Sequence, residues 1–195
     1  MKTKINQSLK VITAFVFIAL TTLVSCGDKK LSTQESAKAE SKVSAPKIDI
    51  HTAVVTDDME ALKQHIAAGS DINRKDPIGG SSPLITASLF GKTKMAIALI
   101  DAGANINFTN NEGSTALHTA AFFCRTEIVQ LLLDKGADKT VKNNYGSTAY
   151  ESVAGPFKDI KSTYQMMEQM LAPMGLKVDY DYLEKTRPVI AEMLK

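Results

Sequence analysis

The stretch HTAAFFCRTE at residues 118–127 brings a histidine, a cysteine and a carboxylate within ten positions, around two phenylalanines. A Cys/His pair is a candidate nucleophile and general base, so His118 and Cys124 are the first residues to weigh for chemistry. They are six positions apart, and at 3.6 residues per turn six steps rotate through roughly 240°. One helix therefore cannot present both side chains on one face. His51 and His65 stand at unrelated places, and three scattered histidines compose no metal site. With no glycine-rich phosphate loop and no convergent acid/base set, the reading is of a chain that is not an enzyme, with no cofactor, no metal and no evident small-molecule substrate.

The elements that carry these residues repeat. Gly80, Gly113 and Gly146 each open a Gly-Ser-Ser/Thr triplet, 33 residues apart. SSPLITASLFGKTKMAIALIDAGANIN from residue 81 aligns without a gap on STALHTAAFFCRTEIVQLLLDKGADKT from residue 114. An earlier copy, IDIHTAVVTDDMEALKQHIAAGSDIN from residue 48, fits with a spacing of 34, one residue being added around Pro77. A fourth begins at Gly146 and drifts. Each unit reads as helix, turn, helix and loop, able to bury its apolar face only against a neighbour. Ala120 and Ala121 let helices approach closely, Leu131 to Leu133 fill the layer between them, and Gly136 supplies a left-handed stop. In this register Cys124 stands where Gly91 stands one unit earlier, as a small free thiol at the end of a first helix.

The third copy resembles the ankyrin repeat at Thr115, Leu117, His118, Ala120, Ala121, Ile128, Val129, Leu132, Leu133, Gly136 and Ala137. The resemblance implies that His118 hydrogen-bonds near its helix start and fixes the turn with Thr115. His51 is a scaffold histidine by the same alignment. His65 falls where Leu99 and Leu132 fall, a place tolerant of a polar group if the first repeat has no neighbour outside it. The fold implied is all-α, an ankyrin-repeat solenoid of about four helix-turn-helix units over residues 47–155 with a helical C-terminal cap over 156–195. In the fourth unit Glu151 replaces the histidine, and Gly155-Pro156 breaks the pattern. Phe157, Ile160, Tyr164, Met167, Met170, Leu171 and Met174 then recur at helical spacing, predicting an amphipathic helix from Phe157 to Leu171 that closes the end of the stack. Pro173 and Gly175 stop it. The remainder, VDYDYLEKTRPVIAEMLK, predicts one or two short helices interrupted before Pro188.

Ahead of the repeats, MKTKINQSLK is basic and VITAFVFIAL is an apolar run of signal-peptide proportions, short of the ~20 residues a membrane span needs. Leu23-Val24-Ser25-Cys26 resembles the bacterial lipobox. The resemblance implies that residues 1–25 are a lipoprotein signal peptide, that Cys26 carries lipid, and that the protein is a membrane-anchored lipoprotein of the bacterial cell envelope, on the periplasm-facing outer membrane. Residues 26–46 hold few large apolar side chains and read as a flexible tether. Without Lys2, Lys4 and Lys10 the chain has 20 basic residues against its 21 acidic ones, a charge of −1 in place of +2. A near-neutral chain without a basic stripe has no field to recruit nucleic acid.

Ankyrin-type stacks bind macromolecules on a concave surface of loop tips and first helices. Carried over position by position, that surface comprises Leu89 and Phe90, Phe122 and Phe123, and the loop residues Ile78, Ser81, Asn111, Glu112, Ser114, Asn144 and Tyr145. Phe90 and Phe123, 33 residues apart, are expected to face solvent as the centre of an apolar patch, whereas Leu89 and Phe122 also suit packing between helices. The function implied is capture of a protein partner by a lipid-tethered envelope protein, or, more narrowly, neutralisation of a toxin or hydrolase by a periplasmic immunity or inhibitor protein.

Overall fold

The computed structural model describes residues 44–195, and these fold without a strand among them. Residues 1–43, with the apolar run and Cys26, lie outside the described residues, and no helix of the described part is long and apolar enough to cross a membrane. Three helix pairs follow in register: α1 (Ile50–Val55) with α2 (Met59–Ala67), α3 (Pro83–Phe90) with α4 (Thr93–Asp101), and α5 (Ala116–Phe122) with α6 (Thr126–Asp134). First helices stack on first helices, α1 on α3 and α3 on α5, and second helices on second helices, α2 on α4 and α4 on α6.

Local chemistry starts and stops each helix. Side-chain oxygens of Asp49, Ser82 and Thr115 cap the first helices, and Pro83 sits in the opening turn of α3, where its missing N–H is not needed. The turn between the helices of each pair needs one left-handed residue, supplied by Asp57, Gly91 and Cys124 at φ 62°, 65° and 51°. Leu62, Leu99 and Leu132 occupy equivalent or neighbouring inner positions of the second helices and are fully buried with Leu84, Met95, Leu117, Ile128 and Val129. His65 is buried too, which departs from the expectation of a tolerant outer face. Its Nε2 meets the Ile48 carbonyl at 2.9 Å and its Nδ1 the Ser70 hydroxyl at 3.0 Å, so segment 48–50 and the following loop cover it.

The fourth unit is built differently. α7 (Glu151–Ala154) stacks on α5, and its second helix is supplied by α9 (Tyr180–Leu194), which packs on α5, α6 and α7. Between them lie α8 (Phe157–Leu171) and a 3₁₀ turn (Ala172–Met174). α8 has the expected bounds, but α9, not α8, takes the place of a second helix beside α6. Met166, Met170 and Met174 point to solvent, so the methionines of the expected stripe are only partly inward. α9 also runs through Pro188 without a break. Proline removes the N–H that would reach the Glu184 carbonyl, but Pro188 and Glu184 are both exposed, and water can take that carbonyl. Inward, α9 buries Leu183, Arg187, Ile190, Ala191 and Leu194, a helical stripe with one charged member.

Candidate interaction surface

The loop tips are fixed from below by short polar side chains. Asp76 accepts from the N–H groups of Ile78 and Gly79, both at 2.8 Å, and from Ser81. Asn110 accepts from Glu112 and Ser114 at 3.0 and 2.9 Å, and Asn143 from Tyr145 and Ser147 at 3.1 Å. These are Asx turns, in which a side chain stands in for a backbone turn. Partial burial works against the Asp76 carboxylate, but the N–H groups around it prevail and hold its pKa below 3.8.

Each tip is also bonded to the next. Asn111 N–H donates to the Gly79 carbonyl at 3.0 Å, Asn144 N–H to Glu112 at 2.9 Å, and Asn144 Nδ2 to the Asn111 carbonyl at 3.0 Å. This contact explains the glycine at the head of the first two triplets, while Gly146 meets no neighbour and is called for by its left-handed φ of 76° alone. A Cβ on Gly80 would run into the Asn111 side chain, and one on Gly113 would lie 2.7 Å from Asn144 Oδ1. The side chains of Ile78 and Tyr145 take no part in closure and are 86% and 75% exposed, and Asn111, Glu112 and Asn144 are exposed beside them.

The aromatic pairs divide. Leu89 and Phe90 are half-buried, and Phe90 lines a cleft of about 340 Å³ with Gly91, Thr93, Arg125 and Tyr182. Phe122 is half-buried, but Phe123 is 3% exposed, which corrects the expectation that it faces solvent. The cause is α8. The Tyr164 ring lies on Phe122 with centroids 4.4 Å apart and meets Phe123 at 6.1 Å, while the Arg125 guanidinium covers Phe123 from another side at 5.9 Å.

His118 and Cys124 are scaffold. Thr115 and His118 form a reciprocal capping box. Nε2 of His118 reaches the Ser147 carbonyl at 3.1 Å and Nδ1 the Thr115 hydroxyl at 2.9 Å, so the ring ties α5 to the fourth unit. Burial pushes its pKa below 6.5, in favour of the neutral ring. Glu151 does the same work one unit on, accepting from Thr148 N–H at 2.7 Å while Thr148 Oγ1 accepts from Glu151 N–H at 3.3 Å. His51 spends its ring on Thr86 Oγ1 and the Arg74 carbonyl, at 3.0 and 2.9 Å. The Cys124 thiol is buried under α9, and burial raises its pKa to about 11, so it holds no thiolate near neutral pH. Among the described residues no group of three His, Cys, Asp or Glu side chains is placed to hold a metal.

Tyr164, Tyr182 and Arg187 were not legible as a network. Tyr182 OH donates to the Cys124 carbonyl at 3.1 Å, and Arg187 donates to Tyr164 Oη at 2.9 Å and to the carbonyls of Ser152 and Gly155, both at 3.3 Å. The one signal for Arg187 is its place in the apolar spacing of α9.

Comparison with known proteins agrees with this geometry. The family profile described as ankyrin repeats (3 copies) matches residues 50–143. The crystal structure of the ankyrin repeat domain of Bcl-3, a member of the IkappaB protein family, superposes with a TM-score of 0.52 at 34% sequence identity, over 53% of this chain and 45% of that one. The match therefore spans less than half of that relative's length. A search among curated proteins returned no match. Three stacked helix pairs, a threonine–histidine capping box and the bonded loop row are thus the work of ankyrin repeats, which this chain carries over residues 50–143.

Proposed function

We propose that this chain is a protein-binding module held at a bacterial envelope membrane by lipid on Cys26, and that it captures its partner along the loop row and the half-open Leu89/Phe90 rim. Ankyrin repeats are a protein–protein interaction scaffold. The observation that carries the assignment to this surface is the row itself: Ile78 and Tyr145 stand out to solvent on loops closed entirely by other atoms. A large apolar side chain that its own fold does not use, on a rigid frame, is suited to burial in a partner. Burying each contributes about 1.5–3 kcal/mol. Asn111, Glu112 and Asn144 supply the polar surroundings. The tether reading rests on the sequence Leu23-Val24-Ser25-Cys26 after the apolar run.

The test is capture from detergent-solubilised envelopes by the full chain. Ile78→Asp with Tyr145→Asp is expected to weaken binding of the co-purifying protein at least tenfold, about 1.4 kcal/mol, with little change in Tm. Full-strength capture by that folded variant would move the surface elsewhere. Separately, Cys26→Ala is expected to abolish palmitate incorporation, and unchanged labelling would remove the anchor without touching the binding surface.

A further inference from the structure

Arg187 is 4% exposed, and among the described residues it makes no ion pair. A cation taken out of water is costly unless a charge of opposite sign meets it. Arg187 meets neutral groups instead. Nη1 donates to Tyr164 Oη at 2.9 Å, and Nη2 to the carbonyls of Ser152 and Gly155, both at 3.3 Å. Nε has no acceptor, and among the described residues it is the one buried side-chain nitrogen or oxygen left without a partner. Arg125 shows the same edge of the fork satisfied: its Nε and Nη2 converge on the Leu89 carbonyl at 3.3 and 3.0 Å.

Arg187 and Gly155, one of its acceptors, both wall a cleft of about 470 Å³ between α7, the Gly155-Pro156 link and α9. Tyr150, Val153, Phe157, Pro188 and Ala191 make much of the remaining wall apolar. A Cβ on Gly155 would meet nothing within 4 Å, so the open space reaches the backbone beside the guanidinium. Of the other charges in the wall, Lys195 and Glu192 pair with each other, and Glu184 is exposed to water, which screens it. Arg187 is left as the buried charge that no neighbour cancels.

We infer that this cleft binds a monocarboxylate carried on an apolar body, held by the Nε/Nη2 edge of Arg187. The guanidinium fork matches a carboxylate in shape, and one negative charge matches the one uncancelled positive charge. One oxygen accepts from Nε and the other from Nη2, whose present bonds are the longest this guanidinium makes. The apolar body lies against Val153, Phe157 and Ala191. A free organic acid and the C-terminus of a peptide offer the same headgroup. The cleft is separate from the loop row, since neither Ile78 nor Tyr145 lines it.

The probes are octanoate and N-acetyl-phenylalanyl-leucine, each titrated into the full chain by calorimetry beside its uncharged amide. At least one acid is expected to bind, and its amide about tenfold more weakly or worse. Binding of octanoate alone assigns the site to free acids, of the dipeptide alone to a peptide C-terminus, and of both to the shared headgroup. Arg187→Gln keeps a donor, removes the charge and is expected to lose the ligand. Because Arg187 also holds Tyr164, a second variant leaves it untouched. Gly155, at φ −76°, is outside the left-handed region, so Gly155→Leu is tolerated and its side chain fills the cleft. That variant is expected to bind about tenfold more weakly, with Tm unchanged or raised. In the unaltered chain the Arg187 Nε–H resonance is expected to shift when the acid is added. Failure of both acids to bind, equal binding of acid and amide, full binding by folded Gly155→Leu, or an unmoved Nε–H resonance overturns the inference.

Discussion

The second and third repeats run in one register, yet Phe90 stays half-open while Phe123, its equivalent, is 3% exposed. Their own helices do not make the difference. Phe90 is the last residue of α3 and Phe123 the residue that caps α5, and each precedes a left-handed turn residue, Gly91 in one and Cys124 in the other. What differs is the following unit. After α3 comes a regular helix pair whose Arg125 lies across Gly91. After α5 comes a short α7 and then α8, whose Tyr164 reaches back over the aromatic pair. A position in a repeat is surface or core according to what the next repeat sends back to it.

The sharpest way to break this comparison is to place a charge at each site. Phe123→Asp removes a ring packed on Phe122 and Tyr164 and buries a carboxylate whose neighbouring cation, Arg125, is already bonded to the Leu89 carbonyl, and it is expected to destabilise by about 4 kcal/mol, enough to unfold much of a marginal domain. Phe90→Asp, at a half-open rim, should cost about 1 kcal/mol or less. Urea denaturation followed by circular dichroism reads both, and equal costs would erase the distinction.

A smaller effect tests the turn. Gly91 is left-handed, and a Cβ there would lie 3.2 Å from Arg125 Cδ and Nε. Gly91→Ala is expected to cost about 1–2 kcal/mol through φ strain and to dislodge Arg125 from the Leu89 carbonyl. The measured Tm and the exchange rates at the end of α3 check both parts. The third repeat already carries that strain at Cys124.

The smallest effect is a pH dependence confined to the third repeat. Burial lowers the pKa of His118 below 6.5, so the unfolded chain binds the proton more readily than the folded one. Its contribution is full above pH 6.5 and declines as pH falls through the folded value. His118→Gln is expected to flatten that part of the stability curve. An unchanged slope would assign the dependence to other groups.

Much of the stack was legible in the sequence because a solenoid writes each layer in the same letters. The period placed the three helix pairs, the capping histidine and the loop glycines, and the apolar spacing placed α8 to its ends. What was not legible depends on contacts between unlike units. Nothing local marks Tyr164 as the lid of Phe123, and the exposure of Glu184 and Pro188, which leaves room for α9 to continue through the proline, is a property of where that helix lies. Arg187 shares its spacing with Leu183 and Ile190, and its burial follows from neutral carbonyls of α7 that no motif announces.

The bonded loop row has a consequence for how such a surface changes over time. Closure of each tip is carried by Asp76, Asn110 and Asn143 and by backbone groups shared between neighbouring tips. Ile78, Glu112 and Tyr145 supply only backbone to that lattice. Their side chains can be exchanged for almost any others while the frame beneath keeps its shape, so new specificities can be drafted on this edge one letter at a time without renegotiating the fold.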